Sequence, residues 1–124
     1  MSANRQEEGK KGEELACEYL KKKGFTIIER NFRIRGGEID IVALDSSAGQ
    51  KSLVFIEVKT RSSSEFGSPF EAITPWKLKT LIKTAQFYKL KYPKYPDLMR
   101  IDAVGVQLNY RNGTTEIEHM ENIS

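Results

Sequence analysis

The sequence predicts an α/β fold: a central mixed β-sheet of about five strands flanked by helices. Three observations carry this. Apolar residues recur at helical spacing in two separate stretches. Between and after them lie runs rich in β-branched and aromatic residues, bounded by Gly, Pro, Ser and Asn. The resulting order, α-β-β-β-α-β-β, combines short hairpin connections with one helical crossover, which calls for both antiparallel and parallel pairing.

Residues 1 to 11 are polar and charged and are expected to be a flexible segment. From Gly12 onward Leu15, Ala16, Tyr19 and Leu20 mark the first helix, with Gly24 as its stop. "FTIIERNFRI", 25 to 34, reads as the first strand, and "RGG" as a turn. "EIDIVALD", 38 to 45, is the second strand, and "SSAGQKS" is a hairpin loop into the third, 53 to 60. A loop rich in Ser, Gly and Pro follows, with a short helix near Phe70. Thr74 then Pro75 signals a helix start, a hydroxyl cap followed by proline at the first helical position. Leu78, Leu81, Ile82, Ala85 and Leu90 give its apolar stripe, and "YPKYPD" ends it. "RIDAVGVQL", 100 to 108, and "TEIEHM" are the remaining strands, separated by the turn "YRNGT". No linker or internal repeat divides residues 12 to 124, which are read as a single domain.

A chain of 124 residues with 39% apolar and 30% charged residues can bury its own core. Its one cysteine, Cys17, excludes an internal disulfide, and one histidine with one cysteine makes a poor zinc set. The N-terminus lacks a signal-peptide pattern and no apolar run reaches membrane-spanning length, so a cytoplasmic location and no membrane partner are expected. Charge is uneven. Thr74 to Arg100 holds seven cations against Asp97, a local +6 in a chain of net +3. Such a block suits a polyanion or is simply a solvated lysine face.

Charge also enters the strands. In "VFIEVKTR", 54 to 61, Glu57 and Lys59 fall on one face of an otherwise apolar run. In "EIDIVALD", alternation groups Glu38 and Asp40 with Val42 and Leu44. An antiparallel hairpin of these strands brings Asp40 beside Glu57 and Lys59. Two readings of that patch stay open: a buried carboxylate–lysine pair closing one end of the sheet, or a site for a hard divalent cation with a lysine beside it. The second is fitted to phosphodiester hydrolysis.

"GEIDIVALD", "FIEVKTR" and "FGSPFEAI", with "GEELACEYL", "RNFR" and "RIDAV", resemble the small bacterial proteins of the YraN type, the UPF0102 family, from about Gly12 to Ile123. That family in turn resembles the restriction-endonuclease-like, PD-(D/E)xK nucleases, closest in outline to Holliday-junction resolvases. The resemblance implies a restriction-endonuclease-like fold and a metal-dependent nuclease acting on DNA, branched or single-stranded forms included. It implies Mg2+ or Mn2+ held by Asp40, Glu57 and the carbonyl of Val58, with Lys59 catalytic. Glu13, eleven residues before Gly24, matches a helix glutamate of the resolvase-like members; a glutamate at a helix start is equally served by the helix dipole. Glu38 is expected to support Asp40. No proline precedes Asp40; Ile39 stands there instead. By the same resemblance the chain is a candidate homodimer.

Arg61 and Lys77 flank the patch and are candidates to clamp phosphates, as are Lys79 and Lys83 of the basic block; each could equally face solvent. Residues 62 to 68 could form a loop over a substrate. Trp76 is expected to pack rather than stack on a base, and His119 to be structural. Asp102 is expected to pair with a neighbouring arginine at the sheet edge. Two other functions stay open: a nucleic-acid-binding module with little or no catalysis, and a protein-interaction domain.

Overall fold

The computed structural model describes residues 5–62 and 67–124. One mixed five-stranded sheet lies between two helices. The first helix, α1 (Arg5–Lys22), begins seven residues before the Gly12 start expected, so residues 5–11 are helical. Its Gly12, Ala16, Cys17 and Leu20 are buried, a stripe that faces the sheet. The end is a glycine cap. Gly24 adopts φ 101°, its N–H bonds to the Lys21 carbonyl at 3.0 Å, and Phe25 N–H bonds back to the Leu20 carbonyl at 2.9 Å. Phe25 and Leu20 share the core beneath this cap.

Strands β1 (Thr26–Ile34), β2 (Gly37–Asp45) and β3 (Ser52–Ser62) form an antiparallel meander. Helix α2 (Pro75–Lys91) then crosses over, and β4 (Met99–Asn109) runs parallel to β3. Strand β5 (Thr114–Met120) closes the sheet antiparallel to β4, giving the order β1-β2-β3-β4-β5. A 3-10 turn over Pro69–Ala72 lies in the connection, and Gly105 accommodates it: a Cβ there would meet Phe70 and Pro69 at 3.2 Å. The Thr74 cap is as expected, its hydroxyl accepting the Lys77 N–H at 3.1 Å ahead of Pro75.

The sheet has two buried faces. On one, α1 covers Ile41, Ala43, Val54, Ile56, Val104 and Val106. On the other, Leu81, Ala85 and Tyr88 of α2 cover Phe32, Ile39, Val42, Leu53 and Phe55. Two expectations about α2 need correction. Leu90 is 81% exposed and lies outside the stripe, and Trp76, expected to pack, is 78% exposed.

The alternation of β2 also departs from expectation. Ile39 joins the α2 side while Ile41 joins the α1 side, so the side-chain pattern reverses across Asp40. An unusual residue lies opposite on β1. Asn31, between the partners Arg30↔Ile41 and Phe32↔Ile39, has φ 55°, a left-handed residue inside a strand. Asparagine tolerates that conformation better than most residues. This left-handed residue sits opposite Asp40, where the side-chain pattern reverses. Glu38 precedes the reversal and does not share a face with Val42 and Leu44 as expected.

Asp102 sits on β4, an interior strand, rather than at the sheet edge. Arg100 does pair with it, donating from Nε at 2.8 Å and from Nη2 at 3.0 Å. His119 Nε2 lies 2.8 Å from the same carboxylate, and Asn122 N–H donates to it at 2.9 Å. Arg100 also reaches Asp45 at 3.0 Å. This buried network ties β2, β4, β5 and the C-terminal residues together. No helix among the described residues is long and apolar enough to cross a membrane.

A candidate carboxylate–lysine site

Strand β3 builds the site. Its residues from Ser52 through Val58 are buried, so Glu57 enters the interior with the strand and is only 3% exposed. The β2–β3 register pairs Ile41 with Ile56, and one step further the strands bring Asp40 to Glu57. Asp40 Oδ2 accepts the Val58 N–H at 2.7 Å, which fixes the carboxylate against β3.

The two carboxyls perturb each other. Burial, a hydrogen bond with Glu57 and the Glu57 charge push the Asp40 pKa up to about 9, against the pull of the Val58 N–H; Glu13 adds further repulsion. At neutral pH the pair therefore retains a proton. Lys77 Nζ of α2 lies 3.2 Å from Glu57 Oε2. The contact lacks hydrogen-bond geometry, and Glu57 Oε2 is the buried side-chain oxygen without a hydrogen-bond partner among the described residues. A crowded carboxylate pair with an unsatisfied oxygen is the donor chemistry that a hard divalent cation takes, with waters filling the remaining positions.

Glu13 reaches the neighbourhood from α1. Burial raises its pKa; the charge of Arg30, 3.9 Å away, and a hydrogen bond with Asn31 lower it, and Glu38 raises it again. Thus Asn31 also lies against an acid of the site. Glu13, Val58, Lys59 and Arg61 line an open cavity of about 300 Å³ together with Arg5 and Ala72. Gly12 keeps α1 close to this cavity: a Cβ there would sit 1.8 Å from Thr60 Oγ1. Strand alternation leaves Lys59 on the side of Glu57, half-buried, with no carboxylate within 4.0 Å of its ammonium among the described residues.

The structure thus gathers Asp40, Glu57, Val58, Lys59 and Glu13 at one end of β3. The other candidates divide between the site and elsewhere. Glu38 pairs with Arg33 at 3.3 Å on the surface. Lys77 turns inward to Glu57. Lys79 and Lys83 line a separate groove of about 680 Å³ on the outer side of α2. Of the loop proposed over residues 62 to 68, positions 63–66 lie outside the described residues. Sequence reasoning missed Asn31, although an Asn inside a strand-like run is itself a signal for left-handed backbone.

Among the described residues, the trio with ligand atoms within 4.8 Å of one another is Asp102, His119 and Glu121. Its central carboxylate already accepts from Arg100, His119 and Asn122. With the Arg100 guanidinium in place, that trio is a hydrogen-bonded brace and a poor cation site.

Fold and site together describe a small α/β protein with a carboxylate-rich strand end beside a lysine. Comparison with known proteins places it further. Residues 12–106 match the family described as "Uncharacterised protein family UPF0102". A UPF0102 protein of Syntrophomonas wolfei is 43% identical over 111 residues, covering 90% of this chain and 91% of the relative. Those of Caldicellulosiruptor saccharolyticus and Leifsonia xyli are each 40% identical, covering 96% and 98% of this chain and 98% of each relative. The chain belongs to the UPF0102 family.

Proposed function

We propose that this chain is a metal-dependent nuclease that hydrolyses DNA phosphodiester bonds, with branched or single-stranded DNA as its substrate class. The observation that carries the reading is the Asp40–Glu57 pair, crowded, part-protonated and short of one hydrogen bond, at the strand end that also bears Lys59. The resemblance of this D…ExK arrangement to the restriction-endonuclease-like nucleases supports it, and with it that fold assignment.

Asp40, Glu57 and the Val58 carbonyl would hold Mg2+ or Mn2+, with Glu13 as a further acid. A bound cation of this kind supplies Lewis acidity toward a phosphoryl oxygen and an acidified water. The protein residues do the rest. The Val58 N–H keeps Asp40 turned toward Glu57. Lys59 presents its ammonium to the attacking water or to the charge growing on the phosphate. Arg61, on the same cavity wall, holds an adjacent phosphate. In a homodimer two such sites would make the paired cuts that a branched substrate requires.

Lys77 favours a second reading. Its ammonium at 3.2 Å can neutralise Glu57 without any metal, as a binding module on a nuclease scaffold would need. Labelled single-stranded, duplex and four-way-junction DNA, incubated with the protein and Mg2+ or Mn2+, separates the two. Cleavage that disappears in Asp40→Ala supports the nuclease. DNA binding without cleavage, unchanged in Asp40→Ala, overturns it in favour of the binding module.

A further inference from the structure

A groove of about 680 Å³ runs along the outer side of α2, where the helix meets the β1–β2 turn at Arg35 and Gly36. Its makeup is unusual for a solvent face. Trp76 is 78% exposed and Phe87 is 47% exposed. Between them stand Lys79 and Lys83, with Arg35 opposite, and no acid among the described residues lines the groove. Positions 76, 79, 83 and 87 follow helical spacing, so they form one ridge. From Trp76 to Phe87 that ridge spans about 16 Å at 1.5 Å per residue. This is room for about three to five nucleotides at stacked or extended spacing.

We infer that this groove binds a single nucleic-acid strand, its phosphates on Arg35, Lys79 and Lys83 and unpaired bases stacked on Trp76 and Phe87. Charge complementarity selects the occupant. Three cations without an acid favour a polyanion, and exposed aromatic faces favour bases over a bare phosphate chain. A paired duplex keeps its base faces covered and can offer this groove phosphates alone. Trp76, at one end of the groove, is the chain neighbour of Lys77, whose ammonium contacts Glu57. The inference rests on the nucleic-acid part of the proposed function and is independent of cleavage.

Trp76 is the chain's one tryptophan, so its fluorescence reads the groove directly. The full-length protein would be titrated in EDTA with a labelled oligothymidylate of about 12 nucleotides, a length that overfills the groove. A duplex of equal length would run in parallel. Expected are quenching by the single strand, tighter binding of it than of the duplex, and at least about fivefold weaker binding in Trp76→Ala and in Phe87→Ala. Lys79→Gln with Lys83→Gln should flatten the salt dependence by about 1.4 in log–log slope. These residues are exposed or half-exposed, so folding should survive, which far-UV circular dichroism checks. Binding without quenching and undiminished in Trp76→Ala overturns the inference, as does equal affinity for the duplex. Absence of binding to either DNA also overturns it; self-association on sedimentation, lost in Trp76→Ala, would then assign the ridge to a second copy of the chain. Groove binding without cleavage in Mg2+ would sink the nuclease reading alone. Cleavage in Mg2+ by a protein whose groove variants bind the single strand as tightly as wild type would sink this inference alone.

Discussion

Replacing Asp40 with Asn should make the metal-free protein more stable. Folding raises the Asp40 pKa from 3.8 to about 9, through burial first and Glu57 second. A carboxyl whose pKa rises on folding binds its proton more tightly in the folded state. The folded state is therefore penalised as pH climbs from the unfolded value toward the folded one, by about 1.4 kcal/mol per pH unit. Between 3.8 and neutrality the upper bound is about 4 kcal/mol. Glu57 shares the repulsion and retains its burial cost, so recovery of about 2 kcal/mol at pH 7 is expected. Asn keeps a carbonyl oxygen that can still accept the Val58 N–H, so the swap removes charge with little loss of geometry.

The assay is urea unfolding of wild type and Asp40→Asn from about pH 5 to about pH 8, in EDTA. The variant should gain on the wild type as pH rises, and at pH 7 melt about 8 °C higher. Saturating Mn2+ should then stabilise the wild type and leave the variant unmoved, because a ligand stabilises only the state that binds it. A variant that is less stable than wild type, with a gap that does not change with pH, would refute the idea that the pair is held against its own repulsion. Stability surrendered in the free protein and recovered on binding is common at functional sites.

Three further outcomes follow from the packing. Lys77→Met should cost about 1–2 kcal/mol in metal-free urea unfolding by leaving Glu57 without its counter-charge, yet should tighten Mn2+ binding in a calorimetric titration. Arg100→Gln should cost about 3 kcal/mol at neutral pH, since it strips Asp102 and Asp45 of their guanidinium. Burial raises both aspartates' pKa, but the bonds from His119, Arg100 and Asn122 at Asp102, and from Ser47 and Arg100 at Asp45, lower them below 3.8. That stabilisation is complete above 3.8 and vanishes as pH falls through the lowered values, so the gap between wild type and Arg100→Gln should close in acid melts. Gly12→Ala should cost about 1–3 kcal/mol in thermal melts, because its Cβ would meet Thr60 Oγ1 at 1.8 Å, and Thr60→Gly in the same chain should recover most of it.

Most of the fold was legible because its signals are local. The Gly24 cap, the Thr74–Pro75 start and the alternation of β3 depend on residues a few positions apart, and the structure realises each of them. What was not legible depends on residues far apart in sequence. Alternation alone placed Glu38 with Asp40, but the side-chain pattern of β2 reverses there, opposite a left-handed Asn31 on the neighbouring strand, and Glu38 ends on Arg33. Trp76 looks like core material by composition, yet its place on the α2 ridge turns it to solvent, where a position one turn away carries lysine. The Asp40–Glu57 patch was legible as a location, and its counter-charge was not. Lys59, on the same strand, was the obvious partner by proximity in sequence, whereas Lys77 arrives across the crossover and takes the contact with Glu57. That exchange bears on mechanism. If Lys77 supplies the neutralising charge in the metal-free protein, Lys59 is spared from pairing with the carboxylates and keeps its ammonium for a phosphate. A cation entering the pair would have to displace the Lys77 contact and the shared proton together, so its binding should strengthen with rising pH. Divalent-ion affinity that is flat across the titration of the pair would mean that the Lys77 ion pair is the resting and final state of Glu57.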